Sequence, residues 1–358
     1  MVHCFRSSCI QYARRNTRYI SRFTIYLLLC LCCLLGIARD TYSETAESKQ
    51  PRLTRNSKEL ADYPNQLTRD GDLVVLPDHG VVYIATDFHA HWRDFNQWLN
   101  RTRLIEQIES GADVYGLILG DVVDHKPGDR VFEPYGDAKL VDRLMQLQKR
   151  LEPRGERLIY LRGNHEIAAA DTYAMLKKEG MNATNRRQMI EMLYQSSQGT
   201  YFRQFDFIER MTEEQYKYLI RLPTVVVGKN GFVGIHAGTS RSARNLADLV
   251  HPDAKVLQEL VWDRPAVAQV GGYTPSQTDT FLERIGGRLL IAGHTPLSYF
   301  PKKAVKDGVA RLSKRQIFFA TGYGASSGEP SYLVIDLSKR YKSVSELQYE
   351  VEIQPLYP

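Results

Sequence analysis

The stretch Val114-Tyr115-Gly116-Leu117-Ile118-Leu119-Gly120-Asp121-Val122-Val123-Asp124 decides the reading of this chain. Its first six residues carry no charge, as a strand covered on both faces requires. Gly120 then lets the backbone approach whatever lies at the strand end, and two carboxylates follow. Working outward, the same texture recurs. Residues 81–85 run into Asp87-Phe88-His89, and residues 158–161 run into Gly163-Asn164-His165-Glu166. Residues 232–235 run into His236-Ala237-Gly238, and residues 289–292 into Gly293-His294-Thr295-Pro296. Each supplies Asp, Asn or His, side chains suited to borderline divalent metals. Asp-x-His or a single His at a strand end is a common accident. Five strand ends in order, all bearing ligand types, are not.

The segments between these ends set the architecture. Phe95, Trp98, Leu99, Ile105 and Ile108 share one helical face, and Leu140, Val141, Leu144, Leu147 and Leu151 share another. The first half therefore reads strand–helix–strand–helix–strand, the pattern of parallel crossovers. Residues 73–76 and 81–85 read as two strands around the turn cluster Pro77-Asp78-His79-Gly80. Residues 168–222 read as mostly helical. Thr212 and Gln215 form a capping box for the last of these helices, and Pro223 stops it. Residues 224–227 and 232–235 flank Asn230-Gly231, a hairpin signal. Further strands are expected at 289–292, 317–320, 332–337 and 347–354, the last alternating strictly (Leu347, Tyr349, Val351, Ile353) with one wet face. The expected fold class is α+β: two mixed sheets stacked as a β-sandwich and flanked by helices (αββα), one catalytic domain over residues 71–358.

Charge and cysteine usage narrow the function. The net charge of +6 invites a nucleic-acid partner. Residues 1–40, however, hold six Arg and one Asp, leaving the rest with 41 bases and 40 acids, a net of +1. A general basic footprint for nucleic acid is absent. All five cysteines (Cys4, Cys9, Cys30, Cys32, Cys33) lie in that leader, so the body has no thiolate metal site, disulfide or cysteine nucleophile. Residues 23–38 are apolar and uncharged between Arg22 and Arg39. Three readings stay open: a signal peptide cut after Gly36-Ile37-Ala38, an uncleaved anchor, or a mitochondrial presequence. The first two put the body on the non-cytoplasmic side, exported or membrane-anchored. Residues 41–70 are polar and read as a linker. Asn100 and Asn182 head glycan acceptor sequons.

With these residues in view, the chain resembles the calcineurin-like metallophosphoesterases, and among them the phosphoprotein phosphatases. Leu161-Arg162-Gly163-Asn164-His165-Glu166 is very similar to that family's third motif, and the likeness runs over residues 81–324. The resemblance implies two divalent ions (Mn, Fe or Zn), with Asp87 and His89 on the first, Asn164, His236 and His294 on the second, and Asp121 bridging both. It implies His165 as proton donor to the leaving oxygen, oriented by Asp124. Two cations about 3.5–4 Å apart clamp the attacking and leaving oxygens of an in-line displacement, and a water between them is deprotonated near neutral pH for direct attack on phosphorus. A His165 kept cationic by Asp124 suits a general acid.

The phosphate clamp departs from the family pattern. His125, then Lys126, stand where an arginine is usual, and histidine lacks arginine's bidentate grip. One of the two, His125 or Lys126 as a point charge, is expected to take over. Arg264, in Trp262-Asp263-Arg264-Pro265, is the other expected phosphate ligand. His91 is expected at the rim, and Tyr323 near the site. His-Ala-Gly in motif four is similar to bacterial diadenosine-polyphosphate hydrolases. The expected partner is a phosphorylated protein or a small phosphoester. The rivals are dinucleoside-polyphosphate hydrolysis and a non-catalytic metal- or partner-binding module.

Overall fold

The computed structural model describes residues 59–126, 128–180, 182, 184, 187, 188, 204–324 and 328–357. The apolar leader segment 23–38 lies outside these. Among the described residues no helix is long and apolar enough to cross a membrane.

The strands, in chain order, are Thr68–Asp70 (β1), Leu73–Leu76 (β2), Val81–Ala85 (β3), Val114–Ile118 (β4), Leu158–Tyr160 (β5), Val225–Gly228 (β6) and Phe232–Ile235 (β7). They continue with Leu289–Ala292 (β8), Val305–Lys306 (β9), Val309–Arg311 (β10), Gln316–Phe319 (β11), Ser331–Asp336 (β12) and Ile353–Pro355 (β13). The helices are Trp92–Thr102 (α1), Leu104–Glu109 (α2), Gly136–Arg150 (α3), Asn164–Glu179 (α4), Gln204–Arg210 (α5), Glu213–Ile220 (α6), Ala254–Trp262 (α7) and Pro275–Ile285 (α8).

One sheet has the order β1-β2-β6-β7-β8-β11-β10-β9 and the other β13-β12-β3-β4-β5. Both are mixed, and helices cover them, as expected. Alternation along the strands explains the layering. Val82, Ile84, Leu117, Leu119, Val226, Phe232, Ile291 and Ile317 meet in an apolar layer between the sheets. Ala85 and Ile118 point the other way, into a core with Phe95 and Trp98 of α1, Leu144 of α3 and Ile208 of α5. Val233 and Leu290 pack outward against Leu260 of α7 and Phe281 of α8. Strands covered on both faces need no polar alternation, and so they read as unbroken apolar runs.

The strands at 73–76 and 81–85 form as expected; β2 pairs with β6 in one sheet and β3 with β4 in the other, so the turn at 77–80 passes between sheets. Two expectations give way. The linker does not extend to Asp70. β1 pairs antiparallel with β2, and Tyr63 is buried with its hydroxyl donating to Asp70 at 2.9 Å. Residues 347–354 are mostly a turn. Glu350 (φ 63) donates its N–H to the Ile353 carbonyl at 2.7 Å, and Ile353 donates to Gln348 at 2.9 Å. Leu347 and Ile353 are buried because the turn brackets them, which imitates a period of two.

Candidate active site

β3, β4 and β5 run parallel, as do β7 and β8, so each set ends on a common edge. The loop after β3 is zipped to the loop after β4: the N–H groups of Asp87, His89 and Ala90 donate to the carbonyls of Gly120, Asp121 and Val122 at 3.1, 2.9 and 2.6 Å. The chain must turn sharply here to aim side chains past the strand ends. Asp87 (φ 55), His89 (φ 46), Asp121 (φ 52), Asp124 (φ 74) and His294 (φ 62) all adopt left-handed backbone, a region that residues with a Cβ enter at a cost. Gly293 provides clearance. A Cβ there would collide with the Asp87 carboxylate and the Thr86 hydroxyl. Gly293→Ala is therefore expected to displace Asp87 and lower kcat/KM about 10²-fold, the usual effect of an ångström-scale misplacement. A steady-state assay showing wild-type kcat/KM would count against this.

These loops bring five of the six expected ligands into two groups that share one carboxylate, and Asn164 meets the second group through His236. Asp87, His89 and Asp121 form one group, and Asp121, His236 and His294 the other, with ligand atoms within 4.8 Å of one another. His89 Nε2 lies 3.7 Å from both Asp87 Oδ1 and Asp121 Oδ2. His236 Nε2 lies 3.3 Å from Asp121 Oδ1 and 2.9 Å from Asn164 Oδ1. The far nitrogens are anchored: His89 Nδ1 lies 3.3 Å from the Val123 carbonyl and His236 Nδ1 3.0 Å from the Leu119 carbonyl. Anchoring one nitrogen to a carbonyl fixes the tautomer that leaves the other free for a cation. His294 Nε2 is buried without a hydrogen-bond partner. An orphaned nitrogen beside a shared carboxylate fits a divalent ion.

The remaining side chains set the electrostatics. His165 Nδ1 is 2.7 Å from Asp124 Oδ2, and its Nε2 faces Asp121 Oδ2 at 3.7 Å. The Lys126 ammonium touches that same Nε2. Burial, then the Lys126 charge, push His165 well below the ordinary imidazole range, while burial drives Asp124 well above the carboxylate range. The Asp124 carboxylate is desolvated and crowded by Asp137, Asp121 and Asp129. Burial lowers His294, reinforced by the Arg264 guanidinium. His236 is pushed up to about 8, because the Asp121 carboxylate outweighs burial.

Arg264 follows α7, whose last residue, Trp262, sets its ring against His294 at 6.3 Å. Arg264 Nε is buried without a hydrogen-bond partner. His125 and Lys126 part company. Lys126 reaches His165, whereas His125 is buried with Nδ1 3.1 Å from Asp129 and Nε2 2.9 Å from the Glu133 carbonyl. Both of its nitrogens are engaged away from the two groups. His91 is buried too, in place of its expected rim position, with Nε2 3.2 Å from Asp129. Tyr323 is exposed, meets Tyr357 edge-on at 5.7 Å and lies under Arg130 at 5.0 Å.

Glu166 carries more than the sequence reading assigned it. It is fully buried, and its carboxylate accepts N–H groups from Gly163 (2.8 Å), Asp121 (2.9 Å) and Val122 (2.9 Å), and the Tyr160 hydroxyl (2.7 Å). It caps α4 at its third position and ties that helix start, which presents Asn164 and His165, to the turn bearing Asp121. A glutamate three residues past a glycine, at the start of a helix, was the available signal.

Against this geometry, a family model described as calcineurin-like phosphoesterase matches residues 80–298, more than half of the chain. The chain belongs to the calcineurin-like phosphoesterase family. It is a phosphoester hydrolase with His and Asp groups suited to divalent metal, and the non-catalytic alternative gives way. Among solved structures, this phosphoesterase is similar to a protein serine/threonine phosphatase from Saccharomyces cerevisiae (17% identity, TM-score 0.48, covering 75% of this chain and 77% of that one). It is also similar to a cold-active protein-tyrosine phosphatase from a psychrophilic Shewanella (15% identity, TM-score 0.46, covering 76% and 79%). A third is a metallophosphoesterase from Sphaerobacter thermophilus (16% identity, TM-score 0.40, covering 73% and 85%). A search of curated proteins gave no match.

Proposed function

We propose that the phosphoesterase is a PPP-type protein phosphatase, removing phosphate from serine, threonine or tyrosine with a dinuclear metal centre. The observation that supports the dinuclear centre is the sharing of Asp121 by two ligand groups. Asp87, His89 and Asp121 would hold one ion, and Asp121, Asn164, His236 and His294 the other. Nitrogen and oxygen donors without thiolate suit Mn, Fe or Zn. When bound, the ions supply charge neutralisation and an activated water.

The chain's own residues supply positioning and the proton. Lys126, a point charge against His165, and Arg264, with its buried free Nε beside His294, would bind the phosphate oxygens. Phosphate then draws the Lys126 ammonium off His165 Nε2. With that charge moved to phosphate, His165 takes up a proton from water at Nε2 while Asp124 holds Nδ1, and passes it to the leaving oxygen. Lys126→Ala is expected to lower kcat/KM about 10–100-fold, mostly through KM. An unchanged KM would remove Lys126 from this role.

The test is a side-by-side assay of the metal-loaded chain on phosphopeptides and diadenosine tetraphosphate, with and without chelator. Phosphopeptides turned over faster, and lost activity on chelation, are the expected result. Faster cleavage of the dinucleotide, or full activity without metal, overturns the proposal.

A further inference from the structure

We propose a third divalent-cation site, structural and separate from the shared-carboxylate pair, formed by His91 Nε2, His125 Nδ1 and Asp129 of this chain. The three ligand atoms lie within 4.8 Å of one another, and each side chain is nearly fully buried. Nε2 of His91 is 3.2 Å, and Nδ1 of His125 3.1 Å, from Asp129 Oδ2. Ligand atoms held about 2.0–2.1 Å from a tetrahedral zinc ion lie about 3.3 Å from one another, so the observed spacings are those of adjacent coordination positions.

Hydrogen bonding alone serves this cluster poorly. His125 Nε2 lies 2.9 Å from the Glu133 carbonyl, which can only accept, so Nε2 carries a proton. A neutral His125 then turns a bare lone pair on Nδ1 toward a carboxylate oxygen, which is repulsive. A cation between them converts that repulsion into ligation, and the Glu133 bond already fixes the required tautomer, as outer partners of metal-bound histidines do. The rival is a doubly protonated His125 paired with Asp129. That arrangement puts three donors on Oδ2 (His91, His125 and the Lys126 N–H at 2.8 Å) and leaves buried Oδ1 with none. A cation at Oδ2 would replace the two imidazole donors there, leaving Oδ2 with the ion and the Lys126 N–H alone. The pocket is otherwise tight: the His91 and His125 rings meet edge to face at 4.8 Å, and Gly324 lies so close to His91 that a Cβ there would collide with the ring.

Two imidazoles and a carboxylate, with water as a fourth ligand, suit zinc. The site would clamp the loop bearing Asp87 and His89, through His91, to the loop bearing Asp124 and Lys126, through His125 and Asp129. It also gives position 125 a role other than gripping phosphate.

The test is metal content of the full-length chain after zinc loading and gel filtration, for wild type, Asp129→Asn, His125→Asn and Asp121→Asn. Wild type is expected to exceed Asp129→Asn and His125→Asn by about one zinc per chain. Asp121→Asn should keep that zinc while losing metal from the shared-carboxylate pair, so failure of the dinuclear reading shows in that arm alone. Equal zinc in wild type and a folded Asp129→Asn or His125→Asn variant overturns the proposal. Cobalt-loaded wild type gives an independent readout: the intense visible bands of a tetrahedral ion are expected, and their absence overturns the proposal even if both variants misfold.

Discussion

Asp121→Asn is expected to lower kcat/KM on a phenyl phosphate reporter by about 10³-fold or more, a loss of about 4 kcal/mol of transition-state stabilisation. Among the described residues Asp121 is the carboxylate shared by both ligand groups, with Oδ1 3.3 Å from His236 and Oδ2 3.7 Å from His89. An amide keeps the shape and can still accept the His165 N–H that Asp121 Oδ1 now receives at 3.1 Å. It loses the negative charge that lets one side chain serve two cations. The melting temperature of the metal-free protein should therefore change little while activity and metal content fall. Retained activity within about tenfold of wild type would mean that the shared carboxylate is not central.

Glu166→Ala is expected to act on the fold itself, by about 4 kcal/mol. It strands the buried N–H groups of Gly163, Asp121 and Val122 and the Tyr160 hydroxyl. Unsatisfied buried donors are among the larger sources of destabilisation. The melting temperature should drop by roughly 10 °C. Glu166→Gln should recover only part of this, because its NH2 group faces donors where an oxygen accepted. A Glu166→Ala protein melting within a degree or two of wild type (about 1 kcal/mol or less) would show that water replaces the carboxylate.

The parts of the fold that local pattern specifies were readable. The runs at 81–85, 114–118 and 289–292 are apolar because both faces of each strand are covered, and each ligand motif begins where such a run stops. Sheet membership was not readable. Nothing between Leu76 and Val81 says that one strand will pair with residues near 225 and the next with residues near 114. Such pairing is settled by contacts far apart in sequence, as is the placement of His91 and His125. His91 reads as a rim residue and His125 as a phosphate ligand because Asp129, which both contact, lies in a polar stretch that carries no motif. The depth at which the Asp124–His165 pair is buried was not readable for a related reason: pairing is visible in sequence, burial is not.

The left-handed turns at Asp87, Asp121 and His294 set chemical performance against endurance. Each holds a side chain where glycine would sit with less strain, by about 1 kcal/mol. Glycine at any of them would relax the scaffold while deleting a ligand. Selection for heat resistance alone would therefore be drawn to the mouth of the catalytic cleft first. A library screened without a turnover assay should accumulate hardy, inert proteins through these positions.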